Sequence, residues 1–89
     1  MRNMPKDEFL RKLGEQDFEF VVNDIRYQLY QYKSGEINHK RNNVLSVLNL
    51  ISDRRYAKFG DYMKEDVRED SKFQNDLYAL FINGAFLMT

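Results

Sequence analysis

Apolar positions recur along most of this chain at intervals of three and four residues, the spacing that lines one face of an α-helix. The clearest run is Phe18, Val22, Ile25, Leu29 and Tyr32, spaced 4-3-4-3 without a miss. Asp17 stands where an N-cap belongs, and Gly35 where a helix can stop. The same stretch contains a rival. Phe, Val, Ile and Tyr favour strands, and Asn23-Asp24 can turn a hairpin between Phe18–Val22 and Ile25–Tyr32. Alternation fails at Leu29-Tyr30, so the pattern predicts a helix over 17–33; the hairpin, and an α+β fold with it, is the alternative.

Before this stripe, Pro5 suits a first helical position, and Asp7 and Glu8 fall in the first turn, where the helix dipole favours acids. A short helix is predicted over 5–13, with Phe9, Leu10 and Leu13 inward and Gly14 at its end. After the stripe, Asn38 can cap a helix over 39–51 whose apolar face is Val44, Leu45, Leu48 and Ile51. Continuing that line would put Arg55 in the core. Ser52-Asp53 offers a fresh cap, which predicts a break and a shorter helix over 54–59 closed by Gly60. Asp61 would then cap a further short helix with Tyr62, Met63 and Val67 inward. Ser71-Lys72-Phe73-Gln74 reads as a capping box launching a last helix with Phe73, Leu77, Leu80 and Phe81 on its face. Asn83-Gly84 should end it, with Ala85 to Met88 packing back as a tail; a Leu77–Met88 hairpin turning on Asn-Gly is the competing reading. The expected fold is all-α, a single domain over 1–89 forming a small bundle of four to six short helices. Its expected core is Phe18, Val22, Ile25, Leu29, Leu48, Ile51, Leu77 and Phe81.

Composition narrows the function classes. The 89 residues are 43% hydrophobic and 31% charged, which suits one globular domain and excludes a disordered tail. The longest apolar run, Leu77 to Met88, is interrupted by Asn83-Gly84 and too short to span a bilayer. The chain has no Cys, so disulfides and thiolate metal sites are excluded. Met1 to Glu8 lacks the apolar stretch of a secretory signal, so a cytoplasmic location is expected. The abundance of Asn, Lys, Tyr and Phe, which AT-rich genes tend to encode, fits a low-GC bacterium or its phage, and in the latter case the host cytoplasm. The net charge is zero, with 14 basic and 14 acidic side chains, but they are unevenly placed. Residues 34–60 hold five basic against two acidic, and residues 61–89 three basic against six acidic. These segments can face each other within a monomer, across a symmetric dimer, or toward different partners.

Catalysis requires polar groups converging on a pocket, and the pattern offers few. His39 is the sole imidazole and falls beside Asn38 and Lys40 near a helix start, where an ordinary surface histidine is expected. The serines sit in no nucleophile elbow, and the four glycines are too dispersed for a phosphate-cradling loop. Glu65 with Glu69 and Asp66 with Asp70 are spaced to clamp a divalent ion, yet Lys64 and Arg68 between them suit a solvated helix face, and no calcium-loop pattern is present. A helix-turn-helix around Gly14 would set Glu15, Asp17 and Glu19 against phosphates. The expectation is no enzymatic activity, no catalytic residues, no cofactor and no metal.

Two features point to binding. On a helix over 17–33, Phe20 and Tyr27 lie opposite the main stripe, with Tyr30 to one side. This second aromatic face implies either burial on two sides or an exposed contact surface of the composition that interface cores favour. The second feature is the basic group Lys40, Arg41, Arg54, Arg55 and Lys58, in which Arg54 and Arg55 can grip phosphates or carboxylates. The expected function is a non-enzymatic protein-interaction module, an accessory or inhibitory protein of a bacterium or phage, binding another protein through Phe20, Tyr27, Tyr30, Arg54 and Arg55. The alternative is a small nucleic-acid-binding protein using the basic segment 40–58, which zero overall charge opposes. A small core and paired charge blocks favour a homodimer over a monomer.

Overall fold

The computed structural model of the chain describes residues 3–33, 35–65 and 71–88. Five helices follow one another there: α1 (Lys6–Gly14), α2 (Phe18–Gln31), α3 (Asn38–Ile51), α4 (Phe59–Glu65) and α5 (Lys72–Ile82). No strand forms among the described residues, where an isolated antiparallel bridge joins Asp17 to Lys58. The chain is a small all-α bundle.

The helix ends follow local chemistry where the sequence supplies it. The Asp17 carboxylate accepts the Phe20 N–H at 2.8 Å, so residues 18–31 form one helix and the Asn23-Asp24 hairpin does not arise. Pro5 sits one place outside α1, as its cap. At the other end of α5, Asn83-Gly84 makes a helix stop in place of a hairpin turn. Gly84 adopts φ +76°, its N–H bonds to Phe81 O at 3.0 Å, and the Ala85 N–H reaches Leu80 O at 2.9 Å. These two bonds define a Schellman motif, which requires the left-handed conformation glycine tolerates.

Other ends depart from expectation. Helix α2 stops at Gln31, short of Gly35, because the Leu29 carbonyl accepts both the Tyr32 N–H and the Arg41 Nε–H. Helix α3 includes Asn38, and Ile37 occupies the cap position without a side-chain bond. Ser71 precedes α5 but makes no side-chain cap bond either.

Residues 54–59 are not a separate helix, and Gly60 closes nothing. The chain after Ser52-Asp53 runs non-helically to Lys58, and Gly60 lies inside α4. The cause is pairing with a distant loop: Phe18 N–H bonds to Ala57 O at 3.1 Å, and Phe59 N–H to Gln16 O at 2.9 Å. These bonds satisfy backbone groups that a helix would otherwise have to serve. The Asp61 carboxylate reaches back to the Lys58 N–H at 3.1 Å, so it caps α4 from the third helical position. Val67, expected inward on this helix, lies outside the described residues.

Helix α3 packs along α5, α1 against α4 and α5, and α2 against α3 and α4. All eight residues of the expected core are buried. Aromatic rings complete it in two groups. Phe9, Phe81 and Phe86 meet with centroids 4.6 to 6.3 Å apart, and Phe18, Phe59, Tyr62 and Phe73 form the second group beside Tyr56. The acidic and basic segments meet inside one chain. Buried Asp76 on α5 accepts hydrogen bonds from Asn43 at 2.9 Å, Lys72 at 3.3 Å and Lys40 at 3.5 Å.

Candidate functional site

Helix α2 turns Phe18, Val21, Val22, Ile25 and Leu29 into the core. No second layer of the described residues covers its opposite side. Phe20 is 48% exposed, Tyr27 67% and Tyr30 54%. The other six phenylalanines of the chain are buried, so the placement of Phe20 is not a general shortage of core. Phe20 and Tyr27 are two turns apart on one face, with Asp24 one turn from each. Tyr30 sits to the side, with its hydroxyl 3.5 Å from Asn49 on α3.

The segment after α5 extends this surface. Ala85 and Phe86 are buried, while Leu87 is exposed. Gln28 on α2 holds Leu87 reciprocally: its amide donates to Leu87 O at 3.0 Å and its carbonyl oxygen accepts the Leu87 N–H at 2.7 Å. The same amide donates to Asp24 at 2.9 Å. A shallow pit between α2 and this segment is lined by Phe20, Asp24, Phe86, Leu87 and Met88 among others. An adjoining groove of about 320 Å³ is lined by Tyr27, Gln28, Gln31 and Leu87 with their neighbours. Leu87, common to both, makes one seam of them. Sequence reasoning missed this contribution; only the apolar tail after Asn83-Gly84 hinted at it.

The basic residues do not assemble into one cluster. Lys40 and Arg41 lie at the start of α3, and Arg54, Arg55 and Lys58 beyond its end, about 20 Å away along a 14-residue helix. Lys40 is paired with buried Asp76, and Arg41 caps the Leu29 carbonyl at 2.7 Å. The Arg54 guanidinium lies over the Tyr62 ring, 5.9 Å from its centroid. Arg55 donates to the Asp53 and Arg54 carbonyls of its own loop. Both arginines therefore belong to the α3–α4 connection, apart from the aromatic face of α2. Lys58 is exposed beside the Asp17 bridge.

His39 is exposed in the first turn of α3. Of the acidic set, Glu65 accepts a hydrogen bond from the Tyr56 hydroxyl, and Asp66, Glu69 and Asp70 lie outside the described residues. That bond to Glu65 holds the Tyr56 hydroxyl above the usual tyrosine range, with burial adding to it and Arg54 opposing. No group of three or more metal-ligating side chains comes together among the described residues. Nor is any described helix long and apolar enough to cross a membrane.

Fold and surface together define a small all-α bundle with an uncovered aromatic helix face. Comparison with protein-family models, with curated protein sequences and with solved structures finds no match to this chain.

Proposed function

We propose that this protein is a non-enzymatic interaction module that acts by binding another protein through the outer face of α2. The observation that carries this reading is the exposure of Phe20, Tyr27 and Tyr30 on one helix. Large aromatic side chains left in water on a rigid element supply contact area at little entropic cost, and they are enriched among the residues that dominate binding energy. Leu87 enlarges the same surface, and Arg54 and Arg55 contribute only if the partner also reaches the α3–α4 connection. An accessory or inhibitory role in a bacterium or phage fits a protein that works by occupying another, and a cytoplasmic setting fits the lack of cysteine. Binding of nucleic acid through segment 40–58 has less support, because Lys40 and Arg41 are already engaged within the chain. A homodimer would use the same α2 face.

The test is site-specific photo-crosslinking in the cells that make the protein. Benzoylphenylalanine placed at Phe20 or Tyr27 should give an adduct with one protein species. The same group at Leu50, an exposed apolar position on α3, should not give it. Absence of an adduct at both α2 positions, or equal adducts at all three, overturns the reading.

A further inference from the structure

The chemistry of the seam specifies its occupant, on the proposed reading that the α2 face is a docking surface. Phe20, Asp24 and Tyr27 stand at i, i+4 and i+7, so a carboxylate lies between two exposed aromatic side chains on one helix face. Asp24 is half-buried, and its Oδ2 is held by the Gln28 amide, which Leu87 orients in turn. Of the charged residues of α2, Asp24 is the one beside Phe20 and Tyr27; exposed Glu19 and half-buried Arg26, seven positions apart, share the flank of the helix toward Tyr30, and the Nε of Arg26 is buried. Across the seam, Arg11 and Lys12 are engaged with Glu15 and Glu8 on their own helix.

Covering Phe20 and Tyr27 also covers Asp24, and a carboxylate taken out of water without a counter-charge is costly. A purely apolar partner would leave it unpaired. A second copy of the chain, docked face to face, would cover Asp24 with a surface whose own charged group is another Asp24. A cation removes the difficulty: a guanidinium can bond the carboxylate and stack on the rings, and an ammonium can do the first and approach the second. We infer that the seam between α2 and the C-terminal segment docks a basic segment of another protein, with an arginine or lysine side chain laid between Phe20 and Tyr27 onto Asp24.

The experiment is selection of random 12-residue peptides displayed on phage against the immobilised full chain, followed by fluorescence anisotropy with a synthetic copy of the leading peptide. Retained peptides should carry Arg or Lys. Replacing that residue by Gln, or Asp24 by Asn, should weaken binding about tenfold, as for a charge-assisted hydrogen bond. Tyr27→Ala should weaken it comparably, and circular dichroism should show both variants folded. Peptides lost on Tyr27→Ala but lacking a basic residue and indifferent to Asp24→Asn overturn the basic partner while leaving the docking face in place. Peptides indifferent to Tyr27→Ala, or no retained peptide at all, overturn both. A dimer by light scattering that Tyr27→Ala disperses seats a second copy on the face and overturns the basic partner alone.

Discussion

Gln28 and Leu87, 59 positions apart, bond as two strand residues would, with a side-chain amide standing in for one backbone. The pairing satisfies both main-chain groups of Leu87 and leaves its side chain exposed beside α2. Gln28→Ala should therefore cost about 1 kcal/mol in urea unfolding, the usual net value of such bonds. It should also speed hydrogen exchange at the Leu87 amide. Gln28→Glu should cost at least as much near neutral pH, since it removes the donor and sets a second carboxylate one turn from Asp24.

Gly14 and Gly60 let α1 and α4 touch through their backbones. A Cβ on Gly60 would lie 3.0 Å from Gly14 O and 3.3 Å from Gly14 Cα. Alanine is the better helix former by about 1 kcal/mol, but backbone atoms of a neighbouring helix give way poorly. Gly60→Ala should destabilise by about 1–2 kcal/mol net, and a thermal midpoint equal to or above the parent would refute the close-contact account.

Asp76 is buried, and two lysines and Asn43 serve its carboxylate. Asp76→Ala leaves Asn43 and Lys40 without that acceptor in a partly buried place and should cost about 1–3 kcal/mol. Lys72→Ala should cost under about 0.5 kcal/mol, because that side chain is 72% exposed and its ion pair is screened. Chemical denaturation of the two variants separates them.

Tyr27 and Ile25 are near neighbours on α2 with opposite surroundings. Tyr27→Ala should leave stability within about 0.5 kcal/mol of the parent, and Ile25→Ala should lower it by about 2–5 kcal/mol. Equal losses would mean that the aromatic face is covered in the free protein.

Tyr56 should ionise at a higher pH than an ordinary tyrosine. Its pKa is raised in the folded state by the bond to Glu65, so the folded protein holds that proton more tightly than the unfolded chain. The stabilisation is complete below the ordinary tyrosine pKa of about 10 and fades as pH rises through the higher folded value. Ultraviolet titration of tyrosinate should lose a step above the ordinary tyrosine range in Tyr56→Phe.

What the sequence alone determined is what neighbouring residues settle among themselves. The 4-3-4-3 stripe from Phe18 carries its own period, Asp17 caps the helix three residues on, and Asn83-Gly84 supplies the left-handed residue a Schellman stop requires. Hence α1, α2, α3 and α5, their buried faces and the all-α class were legible. The exposed side of α2 was legible only as a second aromatic face, since periodicity gives the angle between two faces and not whether a neighbour covers the outer one. Tertiary structure decided the rest because the deciding bonds run between distant positions. Segment 54–58 gives up helix because Gln16 and Phe18 pair with it, and Arg41 ends α2 by bonding Leu29 from the next helix. Gly60 is a contact point and not a terminator because Gly14 happens to lie against it. The seam exists only where Leu87 returns to Gln28, a meeting that no local pattern in either residue's neighbourhood encodes.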